Sequence, residues 1–337
     1  MSSAADSLAI VAIGRNEGER LMACLDSLQA LCDDVIYVDS GSTDGSVERA
    51  RALGAHVIEL DPAQPFTAAR ARNEGVQALA ARANPPALVQ LLDGDCRLDT
   101  SWLSKAVGFL SENPKVGIVC GRRRERFPEA SMFNRLCDME WNTKVGPGTA
   151  CGGDALVRME AFQAAGGYNQ TMIAGEDPEF AYRVERMGWG LYRLEADMTW
   201  HDANITQWRQ WWLRTKRAGH AYAECYNMHR LDGTAFRKRE LRSILFWGLG
   251  LPSLVLLAAY PTYGLSLTLF AAYPLLWWRI RRYRLGCGDQ AAQAAIYASF
   301  CLLGKFAEGA GALRYGLGRL TGSSEKIIEY KGDPGAA

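Results

Sequence analysis

Residues 88–96 read Leu-Val-Gln-Leu-Leu-Asp-Gly-Asp-Cys. An apolar run that follows Pro85-Pro86 and stops at Asp-Gly-Asp is typical of a buried parallel strand. The strand delivers Asp93 and Asp95 to its C-terminal end, which is where open α/β sheets bind ligands. Two carboxylates one residue apart can hold one divalent cation, which neutralises a diphosphate. Asp and Gly are also common turn residues, so a capped turn is the alternative.

Three earlier segments repeat the pattern of a buried strand followed by a helix. Apolar runs at residues 8–13, 35–39 and 56–60 each precede a segment with helical periodicity, the last of which is residues 66–81. This alternation predicts an α/β fold with a doubly wound, mostly parallel sheet. Asp39 is then expected on the same carboxyl edge as the Asp-Gly-Asp turn.

The loops after these strands resemble those of a known family. Residues 14–18 (Gly-Arg-Asn-Glu-Gly), 38–45 (Val-Asp-Ser-Gly-Ser-Thr-Asp-Gly) and 93–95 (Asp-Gly-Asp) have the order and spacing found in family 2 nucleotide-sugar glycosyltransferases of the GT-A fold. Motifs in this order are far more specific than any one of them. Many relatives have two adjacent acids here, whereas this chain has Asp39 followed by Ser40. Only Asp39 therefore takes the role that the family assigns to these acids.

The resemblance implies a set of donor contacts. In the family, the first loop and the acid after the second strand hold the nucleoside, and the Asp-x-Asp pair holds ribose and metal. Carried over to this chain, the predicted nucleotide contacts are Asn16, Glu17, Asp39 and Asp93. The predicted metal ligands are Asp93 and Asp95, and Asp95 is expected to be the firmer of the two. Helix capping is the alternative for Asp39 and Asp44, and we expect it for Asp44.

An arginine-rich run and a glycine-rich run come next. We predict a helix over residues 100–113 and a strand over residues 116–120 that ends in an arginine-rich loop, residues 121–126. The arginines either meet phosphates or anionic headgroups or lie in solvent. Residues 146–156 are rich in glycine and precede a helix that begins near Met159. The family places a similar loop beside the donor sugar, and turn geometry alone is the alternative.

A second group of acids lies at Glu176-Asp177-Pro178. Asp177 directly before Pro178 is typical of a helix start, so N-capping is one interpretation. The family carries a Glu-Asp pair here whose aspartate is the catalytic base. The resemblance therefore implies that Asp177 is the base and that Glu176 is its neighbour in the acceptor site. The helix dipole at this end keeps a carboxylate ionised.

Residues 190–194 and 198–201 are predicted to form two closing strands. His201 ends the second, at a position where many GT-A enzymes supply a third metal ligand. A lone histidine is more often structural, but the resemblance implies that His201 binds metal together with the Asp-Gly-Asp turn. Imidazole with carboxylates favours manganese over magnesium. The predicted cofactor is therefore a divalent metal, Mn²⁺ or Mg²⁺.

Residues 207–220 interleave tryptophan with arginine at helical spacing. Arg214 and Arg217 are predicted to balance charge on the departing diphosphate. Processive relatives carry a Gln-x-x-Arg-Trp sequence near this position, and its absence here argues against processive polymer synthesis. A membrane-interface helix is the alternative, because tryptophan and arginine also suit that environment.

Two uncharged apolar runs, residues 244–260 and 265–278, lie between basic clusters at residues 237–242 and 279–284. Each run is near or below the lower limit of about 17 residues for a spanning helix. Basic clusters at both outer ends predict a hairpin with both ends in the cytoplasm, and re-entrant insertion is the alternative. Residues 290–320 have the periodicity of a helix that lies on the bilayer.

These patterns divide the chain into three parts. We predict a GT-A catalytic domain over residues 1–235, a membrane hairpin with an amphipathic helix over residues 236–320, and a flexible tail over residues 321–337. The catalytic domain is expected in the cytoplasm at the cell membrane. Nine cysteines without a Cys-x-x-Cys pair agree with reduced thiols facing the cytosol.

The sequence as a whole predicts an inverting glycosyltransferase. Its 38 basic and 37 acidic residues give a net charge of +1, which offers no bulk attraction to nucleic acid. The expected donor is a nucleotide-diphosphate sugar, with a UDP-sugar favoured, and the expected acceptor is a hydroxyl of a lipid, a lipid-linked sugar or a glycan. One alternative is a nucleotidyltransferase, although residues 14–17 lack its glycine-rich loop and lysine. The other is a catalytically silent membrane scaffold, against which the intact acids argue.

Overall fold

The structure is a computed structural model that describes residues 7–322. The chain divides into two compact units. Among the described residues, unit 1 comprises residues 7–172 and 176–206, and unit 2 comprises residues 173–175 and 207–322. Residues 323–337 of the predicted tail lie outside the described residues.

Unit 1 is built on one sheet. Its strands are β1 (Leu8–Gly14), β2 (Val35–Asp39), β3 (His56–Glu59), β4 (Leu88–Asp93), β5 (Cys96–Leu98), β6 (Val116–Glu125), β7 (Gly146–Gly148), β8 (Ala155–Arg158) and β9 (Gly190–His201). They lie in the order β3-β2-β1-β4-β8-β6-β9-β5, and β7 pairs with β9. The β3-β2-β1-β4 half is parallel, whereas β8, β5 and β7 run antiparallel to their neighbours. The predicted α/β class is confirmed, with a sheet that is mixed beyond β4.

The helices of unit 1 alternate with these strands. They are α1 (Glu19–Gln29), α2 (Ser46–Ala52), α3 (Ala68–Ala80), α4 (Trp102–Glu112), α5 (Met132–Trp141), α6 (Met159–Ala164) and α7 (Glu176–Arg186). Residues 9–13 of β1 are all buried, as expected for a parallel strand covered on both faces. Tyr37, Trp102 and Phe180 are among the largest fully buried side chains of the core.

Two predictions about the later strands are wrong. The strand expected over residues 116–120 continues to Glu125, so the arginines at 122–124 lie on a strand and not in a loop. Residues 190–201 form one strand, β9, where two were expected. The physical reason is the same for both: β6 and β9 pair in parallel from Val116–Gly190 to Glu125–His201, interrupted by bulges. Each strand supplies hydrogen-bond partners that the local sequence does not reveal.

Unit 2 is helical. Its helices are α8 (Trp208–His229), α9 (Lys238–Leu245), α10 (Leu251–Ala259), α11 (Ala272–Gly286) and α12 (Ala291–Thr321). A π-helical turn, Phe246–Gly250, joins α9 to α10, and a 3₁₀ helix, Leu265–Ala271, leads into α11. A Cβ added at Gly219 of α8 would lie 2.0 Å from the carbonyl oxygen of Glu308, and one at Gly311 of α12 would lie 1.9 Å from that of Lys216. Glycine therefore lets α8 and α12 pack backbone against backbone.

Residues 238–286 form a pair of helical limbs that we call the helical hairpin. Its first limb, Lys238–Ala259, is the single helix among the described residues that is long and apolar enough to cross a membrane. The second predicted apolar run, residues 265–278, falls in the 3₁₀ helix and the first half of α11. The hydroxyl of Ser266 donates to the carbonyl of Val255, which ties the two limbs together.

Candidate active site

The carboxyl ends of β1, β2 and β4 bring the loops of the sequence motifs together. Gly14 pairs with Asp39 across β1 and β2, and Ile13 pairs with Asp93 across β1 and β4. The loops therefore start from adjacent positions of one edge, which is the edge where α/β sheets bind ligands. The expectation that Asp39 and the Asp-Gly-Asp turn share this edge is confirmed.

Asp39 is buried, and its carboxylate is satisfied by its own loop. Its Oδ2 accepts the backbone N–H groups of Gly41 and Ser42 at 2.9 and 2.7 Å. Its Oδ1 accepts the hydroxyls of Ser42 and Tyr37 at 2.5 and 2.8 Å. These bonds hold the loop after β2 in shape. The contact of Asp39 with the nucleoside stays a prediction.

Asn16 connects the first loop to the second. Its Oδ1 accepts the N–H of Thr43 at 2.8 Å, and its own N–H donates to the hydroxyl of Ser42 at 2.9 Å. Its φ of 54° lies in the left-handed region, which asparagine tolerates better than most residues. Glu17 follows it and pairs with Arg20 at 2.8 Å. Both predicted nucleotide contacts thus lie at the loop, and their roles stay predictions.

Asp44 binds backbone N–H groups near the start of α2, but the residue at the predicted capping position is Gly45 and not Asp44. Its carboxylate accepts the N–H groups of Gly18 and Ser46 at 3.0 and 3.1 Å, one residue before Gly45, the N-cap of α2. Partial burial opposes ionisation, but the hydrogen bonds from Ser46 and Gly18 lower the pKa of Asp44. Asp44 therefore fastens the start of α2 to the first loop.

Arg72 joins the Asp-Gly-Asp turn to the Glu-Asp pair. Helix α3 carries it on a buried face, and its side chain is 3% exposed. The guanidinium lies 2.7 Å from Oδ1 of Asp93, 3.1 Å from Oδ1 of Asp177 and 3.3 Å from Oε1 of Glu176. The guanidinium of Arg72 therefore contacts acids of both the Asp-Gly-Asp turn and the Glu-Asp pair. Arg72 is not part of any of the sequence motifs. The one feature of the sequence that points to it is its place on the buried face of a predicted helix.

Arg123 neutralises the other oxygen of Asp93. Its guanidinium lies 3.0 Å from Oδ2 of Asp93 and 2.7 Å from Oδ2 of Asp154, which also accepts the hydroxyl of Thr199 at 2.7 Å. Oδ1 of Asp154 accepts the N–H of Asp93 at 3.0 Å. Burial raises the pKa of Asp93, but Arg72 and Arg123 outweigh it and lower that pKa. Arg123 and Asp154 are also site residues that the motifs do not mark.

Asp177 titrates differently from Asp93, although Arg72 contacts both. Burial raises the pKa of Asp177, Arg72 lowers it and the adjacent Glu176 raises it again, and the result is about 7. A carboxyl group that exchanges its proton near neutral pH is suited to general base chemistry. The helix predicted at this point begins at Glu176, with Pro178 in its first turn.

Asp95 and His201 form a second buried cluster beside Asp93. Nε2 of His201 lies 3.3 Å from Oδ2 of Asp95. Burial lowers the pKa of His201, but the neighbouring carboxylates of Asp95 and Glu125 outweigh it and raise that pKa. Carboxylate oxygen and imidazole nitrogen are a donor set that suits Mn²⁺.

The thiol of Cys96 belongs to the same cluster, in which all donor atoms lie within 4.8 Å of one another. Burial raises the pKa of Cys96 well above its usual range, and its thiol donates to Oδ1 of Asp95 at 3.6 Å. The residues present therefore fit a divalent metal held by Asp95 and His201. The third predicted ligand, Asp93, directs its two oxygens to arginines, and its role at the metal stays a prediction.

The glycine-rich run packs against the arginines. A Cβ at Gly153 would lie 1.9 Å from Nη2 of Arg72 and 3.1 Å from Oδ1 of Asp93, whereas one at Gly152 would meet Arg123 at 3.9 Å. Close approach to Arg72 therefore requires glycine at position 153. The position of this run beside the donor sugar stays a prediction.

Arg214 and Arg217, the predicted diphosphate ligands, lie on α8 in unit 2. The guanidinium of Arg217 donates to the carbonyl of Ile173, in the same unit, at 2.5 Å. The role of these arginines at a diphosphate stays a prediction.

The mixed α/β sheet of unit 1, with acidic loops at its carboxyl edge, resembles the GT-A fold of nucleotide-sugar glycosyltransferases. Residues 9–163 match the sequence model of the family described as Glycosyl transferase family 2. This part of the chain therefore resembles glycosyl transferase family 2, and the predicted resemblance is confirmed.

Similar proteins agree with this assignment. Glycosyltransferase AglE of Haloferax volcanii is 24% identical over 206 residues, which cover 57% of this chain and 65% of the relative. Succinoglycan biosynthesis protein ExoA of Rhizobium meliloti is 27% identical over 199 residues, 53% of this chain and 58% of the relative. The chain thus spans less than two thirds of either curated relative.

A solved structure supports the fold. The mannosyltransferase PcManGT from Pyrobaculum calidifontis, in complex with GDP-Man and Mn²⁺, superposes with a TM-score of 0.56 at 18% identity. The match covers 93% of this chain and 87% of that one, so it extends well beyond residues 9–163.

Proposed function

We propose that this protein transfers a sugar from a nucleotide-diphosphate donor to a hydroxyl group of an acceptor at the cytoplasmic face of a membrane, with inversion at the anomeric carbon. The observation that carries the proposal is the position of Arg72. It lies within 3.3 Å of Asp93, Glu176 and Asp177, so the predicted donor and acceptor motifs share one site. The family match and the GDP-Man in the Pyrobaculum enzyme support a nucleotide-sugar donor.

Asp95 and His201 are proposed to hold a divalent metal, with Asp93 facing the ribose. When bound, such a metal neutralises the diphosphate as it departs. Nitrogen from His201 favours Mn²⁺ over Mg²⁺, and Mn²⁺ is the ion bound to the Pyrobaculum enzyme. Arg72 and Arg123 hold Asp93 in place, so the turn is fixed before the donor arrives.

Asp177 is proposed to remove the proton from the acceptor hydroxyl. Its pKa of about 7 allows it to be ionised at neutral pH and still basic enough to accept a proton. The acceptor oxygen then attacks the anomeric carbon as the diphosphate leaves, and a single displacement inverts the configuration there. Glu176 is its neighbour in the acceptor site and shares Arg72 with it.

The helical hairpin supports an acceptor at a membrane. Its outward side chains include Leu254 and Leu257, which are 59% and 80% exposed. Two of its hydroxyl groups are satisfied within the hairpin, since those of Ser266 and Tyr273 donate to the carbonyls of Val255 and Trp247. Apolar groups outside and satisfied polar groups inside are what a bilayer demands. A lipid or lipid-linked acceptor follows from this arrangement.

The test is release of nucleotide by the purified full-length protein. Mn²⁺, a panel of UDP- and GDP-sugars and a membrane lipid extract as acceptor are supplied together. We expect release from one donor class, its loss on chelation, and a fall of at least about 100-fold in Asp95→Asn. Asp26→Asn, at an exposed aspartate of α1, is the matched control and keeps wild-type activity.

Two outcomes contradict the proposal. Tight binding of a nucleotide with no release from any donor supports the silent scaffold. Release of pyrophosphate from a nucleoside triphosphate and a sugar phosphate supports the nucleotidyltransferase.

A further inference from the structure

Glu125 is a buried carboxylate that no step of the proposed function uses. It ends β6, is 2% exposed, and is the register partner of His201 on β9. Its Oε2 lies 3.8 Å from Nδ1 of His201, whose Nε2 faces Asp95. The imidazole is therefore placed between two carboxylates, one toward each ring nitrogen.

The protein fixes Glu125 with several donors. Its Oε1 accepts the N–H of Phe127 at 3.0 Å and the side-chain amide of Asn134 at 3.3 Å. Its Oε2 accepts the N–H of Ala203 at 3.0 Å. Both oxygens are thus fixed in position as acceptors behind the histidine. These donors offset the cost of burying the carboxylate.

The ring of His201 is fixed in a second way. The indole of Trp141 meets it edge to face, with the ring centroids 4.8 Å apart and an angle of 74° between the planes. The ring therefore has one orientation, and its two nitrogens have different surroundings. Nδ1 of His201 is buried and makes no hydrogen bond to the described residues, so Glu125 is the anionic group that it faces at 3.8 Å.

We propose that Glu125 is a positioning residue that selects the tautomer of His201 and so raises the metal affinity of the site. A carboxylate accepts and does not donate, so it favours the imidazole proton on Nδ1. The lone pair of Nε2 then points toward Asp95, where a metal would bind. Carboxylates behind metal-binding histidines act in this way in many metalloproteins. The inference rests on the metal site of the proposed function.

The variant Glu125→Gln tests this tautomer selection. Glutamine has nearly the same shape, but its amide can donate to Nδ1 and thereby favour the tautomer with its proton on Nε2. We expect the full-length variant, with UDP or GDP present, to bind Mn²⁺ about 10–100-fold more weakly than wild type. The free Mn²⁺ signal in electron paramagnetic resonance measures this affinity. We also expect donor turnover to require more Mn²⁺ but to recover at saturating Mn²⁺.

Glu179→Gln is the matched control. Glu179 is equally buried, but its carboxylate pairs with Arg183 at 2.7 Å. Loss of this carboxylate is expected to lower the unfolding temperature without changing the Mn²⁺ affinity. Where Glu125→Gln does not fold, Glu125→Asp serves instead, since it keeps the charge but withdraws it from Nδ1. Its Mn²⁺ affinity is expected to fall severalfold.

The outcomes separate the inference from the function on which it rests. Unchanged Mn²⁺ affinity in folded Glu125→Gln overturns the role of Glu125, as does an equal loss in Glu179→Gln. Lower turnover that saturating Mn²⁺ does not recover shows a merely structural role and also overturns it. Wild-type protein that binds no Mn²⁺ with either nucleotide overturns the metal site itself.

Discussion

The sheet edge of unit 1 buries charged side chains, whereas the helical hairpin of unit 2 exposes apolar ones. In unit 1, Arg72 is buried with three carboxylates around it. In unit 2, apolar side chains such as Leu257 stay exposed, and the hydroxyl of Ser266 donates to the carbonyl of Val255. Buried charges are costly unless they are paired, and exposed apolar surface is costly in water. Unit 1 is therefore organised around paired charges, whereas the hairpin exposes apolar side chains.

The largest effect is expected from breaking the charge balance of unit 1. Arg72→Leu leaves Asp93, Glu176 and Asp177 without their shared cation. We expect the free energy of unfolding to fall by about 3–5 kcal/mol and transfer activity to be lost. Denaturant titration measures the first and nucleotide release the second.

Arg82→Leu is the control for that variant. Arg82 pairs with Asp34 at the surface, where both side chains are 38% exposed. Such a pair contributes about 0–1 kcal/mol, so its loss should be barely measurable. If Arg72→Leu and Arg82→Leu cost the same, the buried network of unit 1 has no special role.

A charge placed on the hairpin tests whether the hairpin inserts into a bilayer. Leu254 lies near the middle of the first apolar run, and Leu254→Lys puts an ammonium group there. The expected cost of inserting this group into a bilayer is about 2.5–3.5 kcal/mol. We therefore expect liposome binding, measured by flotation, to fall more than about fiftyfold. Leu231→Lys, at a leucine outside the hairpin that is 88% exposed where Leu254 is 59% exposed, should bind as wild type does. Equal flotation of both variants contradicts a bilayer around the hairpin.

A smaller effect is expected where the glycine-rich run meets Arg72. Gly153→Ala brings a methyl group to 1.9 Å from Nη2 of Arg72, so the guanidinium must move. We expect a loss of about 1–3 kcal/mol in stability and a lower rate of transfer. Gly152→Ala meets its nearest neighbour at 3.9 Å and should be tolerated. The unfolding temperature and the turnover rate of the two variants measure the difference. Equal values for Gly153→Ala and Gly152→Ala contradict the close approach of Gly153 to Arg72.

Much of the sheet edge could be predicted because its signals are local. The apolar runs that became β1, β2 and β4 stop at turn residues, and the acids stand directly after them. Asp177 before Pro178 likewise marks the start of α7. Strand alternation then places Asp39 and Asp93 on one edge without any knowledge of distant contacts.

The remainder depends on long-range pairing. Arg72 lies on the buried face of a predicted helix, but no nearby residue identifies its three partners, which are distant in sequence. The length of β9 is likewise set by pairing with β6, which is distant in sequence. Glu125 faces His201 through that same register. A single sequence contains no local signal for such contacts.

The pH dependence of kcat/KM tests whether Asp177 is the base of a sugar transfer. Protonated Asp177 cannot act as a base, and its pKa is about 7, so kcat/KM should fall about tenfold per pH unit below 7 and level off above it. Asp177→Asn should be about 100- to 10,000-fold slower and should lack this inflection, while Asp26→Asn should keep it. An Asp177→Asn variant with full activity, or with the same inflection near pH 7, would contradict the account.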